Sequence, residues 1–388
     1  MSIHLSVEEA RYFLTTYHFT LTDLPGVFER LGTVQYDPLN PVGRNPDLVL
    51  QARVPGYRVD DWQQAAYIDR LIYDAWDKQA CLVPTSDWPR RALTRELYRA
   101  YHDRDILSAE PEAIVSILQA MNEQGPIASL EFEGETHYEA GSWYGQTKAK
   151  RVLRAMWACG MILTHHRQNG RHYYDRPECI IPSQHYEQPL LLDEEAYHRW
   201  IIARRVQATG LLRPTAEAAI WSACGAAPQR KRALAQLVED GTLTPVQIGE
   251  KNWHYYMLTS VLPLLNVPLP EPRVIFLGPL DSLLWDRKAI AHLFGFEYTW
   301  EVYKPAPQRR WGYYVLPVFY KDRFVARLDS RLDGRTWVIS RWWWEPDVTP
   351  DDELRVALHT AMQKFLNYLR VEEFRMESME SMESFAWF

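Results

Sequence analysis

Apolar positions early in the chain recur at helical spacing between short polar breaks. Ser6-Val7-Glu8-Glu9 reads as a capping box, a serine N-cap with a carboxylate three residues on, and opens a helix to about Tyr17. A second short helix is expected over 22–31, an apolar run of strand character over 48–54, a helix near 60–69 and a further segment at 75–83. Beyond these, Ile114, Ile117, Leu118 and Met121 form one helical stripe that ends at Gly125. An amphipathic helix follows over 147–159, closed by Gly160. Two extended runs, 161–167 and 171–174, flank Gln168-Asn169-Gly170, and Asn-Gly at a tip is the strongest short-range hairpin signal.

Helix, turn, helix, hairpin is the order of a winged helix, and it recurs. Helices are expected over 194–209, 215–224 and 229–239, followed by strands around a turn at Gly249-Glu250-Lys251-Asn252. The two hairpins compare directly, Arg171-His172-Tyr173-Tyr174 with Trp253-His254-Tyr255-Tyr256, which points to an internal repeat. From Arg273 the chain turns β-rich, with runs at 274–277, 298–303, 312–319, 324–328 and 336–344, and a helix over 351–369 closes it. The last residues repeat Met-Glu-Ser three times from Met376 and read as a loose tail. The fold class expected is α+β, with tandem winged-helix units followed by a small β-barrel-like subdomain. The boundaries are 1–108, 109–190, 191–268 and 269–370, with a flexible tail at 371–388.

The 388 residues suffice for several buried cores. Aromatic content is high at 13%, with 16 Trp and 22 Tyr; most belong in the core, and the excess suits stacking on bases or sugars. No run approaches the ~20 apolar residues of a membrane helix, and the N-terminus lacks the pattern of a signal peptide. Cys81, Cys159, Cys179 and Cys224 show no CxxC spacing, which argues against zinc and disulfides and for a reducing, cytoplasmic location. The net charge of −7 speaks against nucleic acid, but the field at a groove is local. Between Gly141 and Arg176 stand seven Lys and Arg against the single acid Asp175.

Three constellations could carry chemistry. The first is Gln35-Tyr36-Asp37, followed by prolines at 38, 41 and 46 that stiffen the path. On an extended backbone Gln35 and Asp37 share one face. An amide beside a carboxylate can hold one water or face one developing positive charge; an Asp-Pro step also serves simply as a turn, and Arg44 could pair with Asp37. The second is basic: Arg151 and Arg154 on a helix that also carries Lys148 and Lys150, with Arg167, Arg171 and His172 on the hairpin beyond it. They fit phosphate contact or a solvated face. The third is Arg287 after Leu280-Asp281-Ser282-Leu283-Leu284-Trp285-Asp286, with Lys304, Arg309 and Arg310 among Trp and Tyr. It suits a nucleic-acid groove and, equally, a packed β domain with solvated arginines. Phosphate loops, nucleophile elbows and zinc-protease motifs are absent, so no cofactor is expected. Strand alternation should splay His165 and His166 apart, which argues against a metal there.

Three segments together resemble one family. They are Val34-Gln35-Tyr36-Asp37 through Arg53, Leu280 through Arg287, and Tyr303-Lys304-Pro305 through Gly312-Tyr313-Tyr314-Val315-Leu316-Pro317. The family is that of tandem winged-helix DNA glycosylases that remove alkylated bases and unhook interstrand crosslinks. The resemblance implies a first winged-helix unit before the two read from periodicity. It also implies a Gln-x-Asp catalytic pair at Gln35 and Asp37. Arg44, Lys148, Lys150, Arg151, Arg154, Arg167, Arg171, Arg287, Lys304, Arg309 and Arg310 become candidate DNA contacts. The implied partner is double-stranded DNA bearing alkylated bases or crosslinks, bound by a monomer. The sequence departs from the family pattern at Tyr36, at Lys78 where a histidine is common, and at Trp143-Tyr144-Gly145-Gln146; these departures bear on substrate range. A non-catalytic winged-helix transcriptional regulator is the rival reading.

Overall fold

The computed structural model describes residues 2–128 and 148–378, and their side chains except that of Lys148. The chain divides into two compact units, Met1–Trp62 with Ile201–Phe388, and Gln63–Trp200. Both combine helices and sheets, so the fold is α+β. No helix among the described residues is long and apolar enough to cross a membrane.

The first unit opens on the strand Ile3–Leu5, which pairs in parallel with Leu243–Ile248; that strand pairs antiparallel with Trp253–Leu258. The helix Val7–Phe19 starts at the expected capping box: Ser6 Oγ accepts from Glu9 N at 3.0 Å and Glu9 returns the bond to Ser6 N at 2.7 Å. Leu24–Leu31 is capped by Asp23. Residues 48–54, expected as a strand, form none: 48–51 end the helix Asn45–Gln51, and 52–54 turn away from it. Pro46 fits its first turn and Asp47 accepts from Arg44 N at 3.0 Å, a start signal that the all-apolar run behind it obscured. Asn45 through Leu50 are buried, which is why no alternation marks a solvent face.

A five-stranded sheet holds the C-terminal part of this unit. Its order is Val274–Phe276, Val315–Tyr320, Arg323–Asp333, Thr336–Trp344 and Glu373–Met376. The first four run antiparallel to their neighbours, and the last joins in parallel. Residues 373–376, expected in a loose tail, are therefore part of the sheet, and Phe374 lies 6.1 Å from the ring of buried Trp337. The rest of the tail from residue 379 lies outside the described residues. The helix Asp352–Leu369 packs Leu358, Met362 and Phe365 inward. The strand expected at 298–303 does not form: the chain there wraps around buried Glu301, which accepts from Lys304 Nζ and Trp311 N, both at 2.8 Å.

The helix expected over 215–224 is also absent; only a short 3-10 turn, Ala218–Trp221, occurs. Buried Arg205, on the helix Glu194–Thr209, takes the Ile220 carbonyl at 2.8 Å and the Ser222 carbonyl at 3.2 Å, bonds that stand in for a helical ladder.

The second unit contains the hairpin Ile72–Trp76 with Ala80–Pro84 and the helices Ala92–His102, Pro111–Gln124 and Lys148–Ala158. Its three-stranded sheet pairs Arg171–Asp175 with both Ile127–Ala128 and Leu163–Gln168. The hairpin turns at Asn169 and Gly170, with φ of 51° and 77°, as Asn-Gly predicts. Ile117, Met121, Val152, Leu153, Met156 and Ile162 form its core. His165 and His166 are not splayed apart. The register shifts between Thr164 and His166, and this bulge brings the two Nδ1 atoms to 2.9 Å.

Candidate active site

Gln35 ends a two-residue strand, Val34–Gln35, and Asp37 follows two positions on; both are buried. Between them, Tyr36 stands edge-on to buried Trp62, with ring centroids 6.1 Å apart. Six hydrogen bonds hold the loop that follows. Asp37 Oδ1 accepts from Leu39 N at 2.9 Å, and Asn40 Oδ1 from Gly43 N at 3.0 Å. Pro41 O accepts from Leu332 N at 2.7 Å, and Val42 O from Tyr368 Oη at 3.0 Å. Asn45 Nδ2 donates to Gln35 O at 2.7 Å while its Oδ1 accepts from Leu280 N at 3.1 Å. Gly43 sits at φ 96°, and a Cβ there would lie 1.8 Å from the Tyr368 hydroxyl, so glycine is required by both backbone and space.

Asn45 thus ties the first of the three signature segments to the second. Gly278 permits the approach, since a Cβ there would meet Asn45 Oδ1 at 2.6 Å. The same two segments share a buried ion pair: Arg53 Nη1 and Nη2 reach the Asp281 carboxylate at 2.7 and 2.9 Å. His18 donates from Nε2 to Thr209 O at 3.1 Å, leaving Nδ1 to face Arg53 Nη2 at 3.4 Å. Burial and the neighbouring Arg53 charge press its pKa down to about 3, so it is neutral. Asp286 holds Arg213 in a second buried pair, with Nε at 2.8 Å.

Most buried acids nearby are satisfied in this way. Asp47 has no cation among the described residues but accepts from Tyr57 Oη at 2.9 Å, Asp60 N at 2.7 Å and Arg44 N at 3.0 Å. Burial still lifts its pKa to about 6. Asp37 differs. Among the described residues its carboxylate has no cation partner, and Leu39 N is its hydrogen-bond donor. Desolvation raises its pKa, opposed only by that N–H. Arg44 turns to Asp60 at 3.0 Å rather than to Asp37.

The candidate DNA contacts divide between the units. In the first, Lys304, Arg309 and Arg310 share the loop before Tyr313. Lys304 is exposed and pairs with Glu301, Arg309 Nε donates to Lys304 O at 2.8 Å and covers Tyr313, and Arg310 covers Trp311 at 4.6 Å. Tyr303 on this loop is 84% exposed and stands edge-on to Trp300, with ring centroids 5.6 Å apart. Arg287 points inward, donating to Pro279 O at 2.8 Å and lying 4.5 Å over Tyr298. In the second unit Lys150 and Arg154 are exposed one turn apart, and Arg171 is exposed on the hairpin. Arg151 meets Asp105 at 3.2 Å. Arg167 is buried against Asp74, Tyr67 and His172, where it joins two hairpins instead of facing solvent. The Lys148 side chain and the Trp143-Tyr144-Gly145-Gln146 segment lie outside the described residues. Lys78 occupies the turn between Ile72–Trp76 and Ala80–Pro84. Among the described residues no three His, Cys, Asp or Glu side chains cluster to hold a metal. Sequence reasoning missed Asn45 and Asp47; their signal was their place just after the Gln-x-Asp segment, where a polar residue at the start of an apolar run has to cap it.

A model of the AlkZ-like DNA glycosylases matches residues 28–368. This chain belongs to that family. The glycosylase is therefore a DNA-repair enzyme that hydrolyses N-glycosyl bonds, and DNA is its substrate; the non-catalytic regulator is set aside. Its fold is also similar to that of the Streptomyces sahachiroi DNA glycosylase AlkZ. The TM-score is 0.64 over 97% of this chain and 100% of that one, at 13% identity, a likeness of fold. The matched span contains all three signature segments and the buried ion pair between the first two.

Proposed function

We propose that the glycosylase removes N7-alkylated guanine from duplex DNA and unhooks interstrand crosslinks made through such bases, with Asp37 and Gln35 at the reacting centre. The observation that carries this reading is Asp37 itself: a buried carboxylate with no cation to answer it among the described residues, whereas Asp281 and Asp286 are paired with arginines and Asp47 accepts three hydrogen bonds. A group placed like Asp37 costs folding energy and suits a site where positive charge develops during reaction.

An N7-alkylated guanine is already cationic and leaves readily. As the C1′–N9 bond breaks, its electron pair neutralises the base and the sugar becomes oxocarbenium-like. Asp37 stabilises that charge and accepts the proton of the water whose oxygen bonds to C1′. Gln35 orients the water, since its amide both donates and accepts. Lys150, Arg154 and Arg171, with Lys304, Arg309 and Arg310, would meet phosphates. We read 109–190 and 191–268 as winged-helix units and the five-stranded sheet as the barrel-like part. Buried Cys81, Cys159 and Cys224 and exposed Cys179 form no disulfide among the described residues, which suits a reducing cytoplasm.

A duplex crosslinked through guanine N7 tests the substrate. After incubation, separate strands on a denaturing gel are expected; an intact crosslink beside excised N7-methylguanine would confine the activity to monoadducts. The pH profile tests the residue. Asp37 must be ionised to act, and burial raises its pKa, so the acid limb of the excision rate should lie above the ordinary aspartate range, with activity falling as pH drops through it. A limb at or below the ordinary range would assign the titration to another group.

A further inference from the structure

Tyr314 is fully buried, 1% exposed, yet its hydroxyl makes no hydrogen bond among the described residues. A buried phenol without a partner costs about 1–3 kcal/mol; Tyr255 is another among the described residues, but the charges acting on it are those of Arg213 and Asp286. The position of Tyr314 is fixed from outside the ring. Gly312, Tyr313 and Tyr314 close around the Asp329 carboxylate, which accepts from Tyr313 N and Tyr314 N at 3.3 Å each, and a Cβ at position 312 would lie 2.1 Å from Asp329. Asp329 lies on the strand Arg323–Asp333, the strand that also receives the Asp37 loop through Leu332 N and Pro41 O. Two turns carrying Asp37 and Tyr314 are thus anchored three residues apart on one strand, about 10 Å along it.

We infer that Tyr314 is a positioning residue of the hydrolytic site, its hydroxyl donating to the Asp37 carboxylate–water unit and so fixing the oxygen that receives the proton. This rests on the Asp37 reading above. The phenol stays protonated and can donate throughout the working range: burial first, and then the Asp37 charge, push its pKa well above the usual tyrosine value. Tyr298, Asp47 and Tyr313 act on it as well, and Tyr368 interacts with it from the C-terminal helix. Water attack then proceeds as written, with the C1′–O bond forming, C1′–N9 breaking and the proton passing to Asp37; Tyr314 keeps its own proton.

Tyr314→Phe removes one oxygen and no described partner. The expected result in the full chain, on duplex carrying N7-methylguanine, is a single-turnover rate lower by about 10- to 100-fold with an unchanged or higher melting midpoint. The acid limb should move to higher pH, because the ionised carboxylate has lost a donor. Unchanged rate and limb, or a variant that fails to fold, would overturn the inference, since either gives the hydroxyl no part in the chemistry. Asp37→Asn and the double variant separate this from the parent reading. If Tyr314 acts through Asp37, Tyr314→Phe adds little in the Asp37→Asn background. A wild-type rate in Asp37→Asn sinks the parent reading, whereas two fully additive losses sink only the Tyr314 inference.

Discussion

Asp37→Asn should lower the single-turnover rate of excision by about 100-fold or more while leaving the fold intact. The substitution keeps the shape and keeps an oxygen for Leu39 N, the donor at 2.9 Å, so the loop loses no hydrogen bond. What disappears is the negative charge. Stability should hold or rise. A carboxyl whose pKa is higher folded than unfolded weakens folding at neutral pH, and that penalty fades as pH falls through the folded value. Removing the ionisable group removes the penalty. An inactive but destabilised variant would mean that Asp37 serves the turn; an inactive variant of unchanged or greater stability assigns it to the chemistry. Gln35→Ala should slow the reaction less, since a neutral amide orients water but answers no charge.

The second large effect concerns the frame behind the site. Asp281→Ala should destabilise the first unit by about 3–5 kcal/mol, because it leaves the Arg53 guanidinium buried with its charge uncompensated. Both side chains are essentially inaccessible, at 1% and 0% exposure, so water cannot replace the lost partner. Burial alone would raise the Asp281 pKa, but the Arg53 charge and its two hydrogen bonds bring it below the usual value. The pair's contribution is therefore complete at neutral pH and is lost only as pH falls below the ordinary aspartate range. Replacing both partners, Arg53→Met with Asp281→Leu, should recover most of the loss. Urea midpoints of the three variants measure this. A shift below ~1 kcal/mol for Asp281→Ala would show that the guanidinium finds water or another acceptor. Because Arg53 follows the Gln35 segment and Asp281 lies in the next signature segment, loss of this pair should loosen the active loop before the chain unfolds.

Much of this was legible in the sequence wherever the cause is local. The Ser6 capping box, the Asn169-Gly170 turn and the helices Glu194–Thr209 and Pro111–Gln124 depend on neighbours within a few residues, and they stand close to where periodicity put them. Failures came where a distant group decides. Residues 48–50 are buried on every side, so a helix there carried no amphipathic stripe. The 215–224 segment is held open by Arg205 from another helix. Arg167 looked like a wing cation because its partner Asp74 lies 93 positions earlier. At the site, Gln35 and Asp37 were picked out by resemblance, whereas spacing alone favoured a turn. The Leu39 bond shows that the turn exists too, and the lack of a cation among the described residues sets Asp37 apart from the paired acids. Tyr314 stands within a signature segment, but its unmet hydroxyl is a property of packing and leaves no mark in sequence.

The most direct test is a duplex with one N7-methylguanine, incubated with excess wild-type protein and with Asp37→Asn, then cleaved by alkali at abasic sites. The wild type should convert the lesion to an abasic site in a single exponential, and the variant should leave it nearly intact over the same time. Duplex bound by both proteins with no abasic product from either, or equal product from both, would contradict Asp37 as the charge that opens the glycosidic bond.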